Sequence, residues 1–128
     1  MSFSEETGVR SGTRASVACI AAALISGRKV FSVYDRVVGK MLRVNGEITP
    51  ENINVQDYEQ GCAITGTGKN GNFDLYHGGE GCSIRLQIKG DTFQGYDYGS
   101  ESHFNGEVKE RTVYFHDYGK GDRFEYGF

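Results

Sequence analysis

The chain has no tryptophan, a single proline, two methionines and three cysteines in 128 residues. One proline excludes a proline-rich linker or a polyproline segment. Positive charge is also scarce. Fourteen Lys and Arg stand against 17 Asp and Glu, for a formal net charge of −3; a nucleic-acid partner, which calls for clustered cations, is not expected. Long apolar runs are lacking too: the stretch from Ser16 to Ile25 is far short of the ~20 residues that cross a bilayer as a helix, so no membrane span is expected. Glu5 and Glu6 stand where a secretory signal would be positive, and the stretch reads as a structural helix instead. The chain contains no Gly-x-Ser-x-Gly elbow and no His-Glu-x-x-His pair, and Gly66-Thr67-Gly68-Lys69 has no helix after it to make a phosphate loop. No catalytic residue and no cofactor is assigned, and the reading leans away from an enzyme. Three free thiols fit a reducing compartment, so a cytoplasmic location is expected.

Nineteen glycines, eight Phe and eight Tyr are abundant by contrast, and they recur in order. Tyr96-Asp97-Tyr98-Gly99 followed by Phe104 returns as His116-Asp117-Tyr118-Gly119 followed by Phe124. The same spacing carried backwards reaches His77 and Ile84, Asp57 and Ile64, then Asp35 and Leu42. With Asp35, Asp57, His77, Asp97 and Asp117 as anchors, Phe31 and Val33, Ile53 and Val55, Phe73 and Leu75, Phe93 and Gly95, and Val113 and Phe115 precede them at alternate positions. Alternation with period two is the mark of a half-buried strand. The intervening positions are wet and carry tyrosine: Tyr34, Tyr76, Tyr96 and Tyr114 before the anchors, Arg43, Arg85, Asn105 and Glu125 after them. Each unit is thus a hairpin turning near Gly39, Gly61, Gly81 or Gly121, with Glu101 in place of glycine in the fourth.

Five such hairpins make a mainly β, ten-stranded antiparallel meander over residues 30–128, in one domain. A sheet that long leaves two open edges unless it curls, so it is expected to close into a barrel or approach one. Ahead of it the apolar segment 13–26 is expected to form one helix, capped by Thr13 and stopped by Gly27, with residues 1–12 as a flexible lead. A helix apolar nearly all round is a buried helix, and ten strands leave more interior than eight. The helix therefore plugs the barrel or caps one mouth. Arg10, Arg14, Arg28 and Lys29 around it read as solvated surface.

Three groups of side chains are candidates for a site. The anchors Asp35, Asp57, His77, Asp97 and Asp117 form a rim cluster able to hold a cation, although an Asp that recurs with a turn is first of all a cap accepting the turn's N–H groups. Cys62, His77 and Cys82 are a weaker, metal-binding alternative at that rim, since Cys and His are the usual zinc ligands. Equivalent strands one repeat apart lie about 9–10 Å from each other, too far for Cys62 and Cys82 to form a disulfide. Tyr76, Tyr96, Tyr98, Tyr114, His116 and Tyr118, with Tyr34, Tyr58 and His103 nearby, form an aromatic face suited to a protein or small-molecule partner, a homodimer included. The leading expectation is a small binding or interaction barrel using that face or one rim. The alternatives are a lumen binder of an apolar ligand, and a metal-binding or hydrolytic protein at the Asp/His/Cys rim.

The Tyr96-Asp97-Tyr98-Gly99…His103-Phe104-x-Gly106 pattern resembles a motif of small uncharacterised bacterial proteins ending in the same hairpin repeats. The resemblance covers residues 30–128 and, loosely, the helix with Ser26-Gly27-Arg28. It implies a fold and no activity. Glycine- and aromatic-rich hairpins of this length are also similar to MORN repeats, which lack the Asp-centred turn. Length and strand number are similar to intracellular fatty-acid-binding proteins, but those place two helices after the first strand, so lipid carriage is an analogy only.

Overall fold

A computed structural model describes residues 8–57 and 61–128. One helix, α1 (Ser11–Ser26), precedes ten strands: β1 (Ser32–Asp35), β2 (Lys40–Ile48), β3 (Asn52–Asp57), β4 (Cys62–Lys69), β5 (Asn72–His77), β6 (Cys82–Lys89), β7 (Thr92–Asp97), β8 (Ser102–Lys109), β9 (Thr112–Asp117) and β10 (Asp122–Gly127). Every strand pairs antiparallel with its sequence neighbours, and the sheet closes where β1 meets β10 through Tyr34↔Gly127 and Asp35↔Tyr126. Closure satisfies the backbone groups that a ten-strand meander would otherwise leave at two edges.

The period-two pattern explains the wall. Val33, Leu42, Val44, Ile53, Val55, Ile64, Leu75, Ile84, Leu86 and Phe115 point inward and are buried. Phe31, an inward-parity residue with a large apolar side chain, is 51% exposed, because β1 begins only at Ser32 and Phe31 sits beyond the end of the wall.

The interior is filled by α1. Every residue from Gly12 to Ala23 is buried, on all faces of the helix, and its neighbours are β1, β2 and β3 together with β8 and β9. Alanines at 15, 18, 21, 22 and 23 keep the helix slim enough to lie against those strands. Phe93, Phe104 and Phe115 form a cluster within the barrel, with ring centroids 5.2–6.4 Å apart. Two inward positions that hold Leu in the neighbouring hairpin are here Gly95 and Gly106. Phe104 stands opposite Gly95 and Phe93 opposite Gly106, each ring occupying the space a Cβ would take. This cross-strand filling of a glycine gap seals the wall from inside.

Only the N-terminal end of α1 differs from the sequence expectation. Gly27 stops the helix as expected, with φ 73° and its N–H on the Ala23 carbonyl at 2.9 Å. The start lies two residues earlier than Thr13: the helix begins at Ser11 with Arg10 at the N-cap, and Thr13 is buried in the first turn. Of the expected flexible lead, residues 1–7 lie outside the described residues, while Val9 is buried and its N–H donates to Asp117 Oδ2 at 2.8 Å. That bond draws the chain into the barrel mouth at the anchor rim.

Arg14 is the larger correction. It is 5% exposed rather than solvated. Its Nε donates to the Tyr126 hydroxyl and its Nη1 to the Val9 carbonyl, both at 2.8 Å. The guanidinium lies over the Phe124 ring at 3.6 Å from the centroid and 3.8 Å from Asp117 Oδ2. A guanidinium on the helix, an inward Tyr and a buried anchor thus lock the plug to β9 and β10. The helix enters N-terminus first among the anchor carboxylates, the orientation its macrodipole favours.

Candidate functional site

The outer wall over β5–β10 carries the tyrosines. Period two puts Tyr76, Tyr96, Tyr114 and His116 on the outside, and Tyr98 and Tyr118 follow the anchors into the turns. Tyr96 gathers Tyr98 and His103 edge-on, at centroid distances of 4.7 and 4.6 Å. His116 stacks on Tyr118 at 4.1 Å, and Asn105 Nδ2 donates to the Tyr118 hydroxyl at 3.1 Å. Two adjoining grooves of about 1050 and 1290 Å³ run along this face and share Gln87, Gln94, Asn105 and Tyr118. Tyr114 and His116 line the first, Tyr96, Tyr98 and His103 the second. Tyr76 is exposed but lines neither of them, and Tyr58 lies outside the described residues.

Between the aromatic groups runs a row of amides that the sequence reading did not single out. Gln87 Nε2 donates to Asn72 Oδ1 at 2.9 Å, and Gln94 Nε2 to Gln87 Oε1 at 2.8 Å. These residues are cross-strand neighbours, Asn72↔Gln87 and Gln87↔Gln94, and the next in the row is Gln94↔Asn105. The signal was present in the sequence as outward-parity amides on successive strands. Each amide in the row both donates and accepts, so the groove floor offers directed hydrogen bonds between stacking surfaces.

The anchor rim is built differently. Asp35 Oδ1 accepts from the Val37 and Val38 N–H groups at 2.9 and 3.2 Å; Asp97 Oδ1 accepts from Gly99 at 3.1 Å; Asp117 Oδ1 accepts from Gly119 and Lys120 at 3.0 and 3.2 Å. Each is a turn cap. His77 does the same work with a ring: its Nδ1 accepts from the Glu80 N–H at 3.1 Å. The turn of the Asp57 hairpin falls on residues outside the described ones.

Asp57, Cys62 and His77 converge, with one ligand atom of each within 4.8 Å of the others. Cys62 Sγ lies 3.6 Å from His77 Nε2, which lies 3.5 Å from Asp57 Oδ2. Cys82 is not in this group; its Sγ donates to the Glu80 carbonyl at 3.4 Å. The three atoms have separations that a tetrahedral ion would accept, but the ring chemistry opposes it. Because the Glu80 N–H occupies the Nδ1 lone pair, the neutral imidazole carries its proton on Nε2, the nitrogen that would have to coordinate. Burial pushes the Cys62 thiol up, and Asp57 and Glu80 add to this against a hydrogen bond from the Gly79 backbone. A thiol pushed up in this way is not an activated nucleophile, and an ion entering here would have to displace the thiol proton and the ring proton.

All three cysteines are free, and among the described residues no helix is long and apolar enough to cross a membrane. Compared with protein-family models, with curated proteins and with solved structures, the chain finds no match.

Proposed function

We propose that the protein is a non-enzymatic binding protein that takes a protein or small-molecule partner on its outer tyrosine-rich face. The observation that carries this reading is the pair of adjoining grooves floored by the Asn72–Gln87–Gln94 amide row and flanked by the Tyr96/Tyr98/His103 and His116/Tyr118 groups. Stacking surfaces beside directed donors and acceptors are the ingredients of specific recognition. Occupation of the barrel interior by α1 favours this outer face over the lumen as the place for a ligand.

Replacement of Tyr96 and Tyr98 together by Ala tests it. The double variant is expected to keep its β-sheet circular dichroism, with a loss of about 1 kcal/mol from the missing cross-strand contacts. Retention of partners on the immobilised protein, or self-association in sedimentation velocity, should fall at least about tenfold. A variant that matches the parent in both assays refutes the reading.

A further inference from the structure

The turn of the first hairpin breaks the rule of its own repeat. The second and third residues after the anchor are Glu59-Gln60, Gly79-Glu80, Gly99-Ser100 and Gly119-Lys120 in the later hairpins, polar or small as a water-facing turn requires. In the first hairpin they are Val37-Val38, 58% and 65% exposed. Met41, 57% exposed, and its cross-strand partner Tyr34, 41% exposed, continue the apolar surface down the outside of β1 and β2.

The turn presents these side chains on a fixed backbone. Asp35 Oδ1 holds the N–H groups of both valines, and Gly39, at φ +72°, donates to the Asp35 carbonyl at 2.8 Å. Cations lie in this turn and in the hairpin beside it. Arg36 and Lys40 flank the valines in the chain, and Lys120 and Arg123 belong to the neighbouring hairpin that β1 joins through β10; all four are exposed. The nearest anchor carboxylates, Asp35 and Asp117, are buried, leaving Asp122 and Glu125 as the exposed acids of that hairpin. In a chain of net charge −3, the turn with the most exposed apolar residues and the hairpin beside it thus carry four exposed cations against two exposed acids.

We propose that this turn docks the protein on an anionic phospholipid surface, with Val37 and Val38 entering the boundary between headgroups and acyl chains and Tyr34 at headgroup depth. Insertion of a few apolar side chains combined with cation attraction is how peripheral proteins hold to such surfaces, and tyrosine favours the interfacial layer. A second copy of the chain is the less suitable occupant. A stable interface takes ~800 Å² from each partner, and four side chains on a convex turn fall short of it.

The experiment is co-sedimentation with vesicles of phosphatidylcholine alone and with about one third phosphatidylglycerol, at low and high salt, for the full chain. The parent should pellet with the anionic vesicles at low salt and be released at high salt. Val37→Ser with Val38→Ser, which leaves the Asp35 cap intact, should weaken binding at least about tenfold at an unchanged melting temperature. Arg36→Glu with Lys120→Glu should do the same with both valines in place. Absence of binding to the anionic vesicles, or binding by the serine variant equal to the parent's, overturns the proposal. So does a serine variant that turns a dimer into a monomer in size-exclusion chromatography, since the valines would then serve a second copy.

Discussion

Replacing Arg14 by Met removes the lock between plug and wall while keeping most of the side-chain volume. Arg14 donates two hydrogen bonds of 2.8 Å, to Tyr126 and Val9, and its guanidinium stands 3.8 Å from the fully buried Asp117 carboxylate. A hydrogen bond from a charged donor contributes about 1.5–3 kcal/mol, and breaking a buried ion pair costs about 3–5 kcal/mol. Asp117 keeps the N–H groups of Val9, Gly119 and Lys120, and Met retains contact with Phe124. The loss should therefore fall at the lower end, about 3 kcal/mol. Urea unfolding followed by circular dichroism measures it. Adding Asp117→Asn should show coupling, the double variant losing about 1–2 kcal/mol less than the sum of the singles. Arg14→Lys should recover less than half, because an ammonium cannot reproduce the forked geometry. A loss under about 1 kcal/mol for Arg14→Met would mean that the guanidinium reaches water and the helix is not seated in the barrel.

Thr13 Oγ1 is buried with no hydrogen-bond partner among the described residues, so Thr13→Val should raise stability by about 1 kcal/mol in the same assay; destabilisation would reveal a bond to the hydroxyl. Glu101 adopts φ +55° where four other hairpins have glycine, and Glu101→Gly should add about 0.5–1 kcal/mol, an unchanged or lower melting temperature contradicting the strain argument. Burial pushes the Cys19 thiol up from its ordinary 9.0 to about 12. The unfolded thiol ionises first, so stability is untouched below pH 9 and falls by about 1.4 kcal/mol per pH unit between pH 9 and 12. Cys19→Ala should lessen that alkaline loss, and an identical slope in the variant would place the thiol in water.

The candidate site was only partly legible. Anchor spacing showed that His77 and Cys62 share a rim, because strand register follows from the hairpin repeat. It did not show that Asp57 replaces Cys82 beside them. Cys82 is the direct cross-strand neighbour of His77, yet its Sγ turns to the Glu80 carbonyl, a rotamer choice that spacing does not carry. The amide row was hidden for another reason: Asn72, Gln87 and Gln94 are ordinary wet-face residues until register sets them side by side. Arg14 was misread because a cation near a helix end is normally solvated, and only the inward Tyr126 hydroxyl and the Asp117 carboxylate make its burial tolerable.

Period-two alternation and the recurrence of an Asp-centred turn, by themselves, determined a ten-strand meander, because each hairpin has one apolar face and can bury it only against its neighbours. The same pattern determined that Asp35, Asp97 and Asp117 cap turns and that Tyr34, Tyr76, Tyr96 and Tyr114 stand outside. Whether the sheet closed, and what it closed around, was a tertiary matter. Closure rests on pairing between the first and last strands, where Tyr34 faces Gly127 and Asp35 faces Tyr126, and no local signal encodes so distant a partner. The seating of α1 depends on inward volume summed over ten strands, with glycines at 95 and 106, alanines on the helix and a guanidinium matched to Tyr126 and Asp117. Such a sum is a property of the assembled interior rather than of any segment.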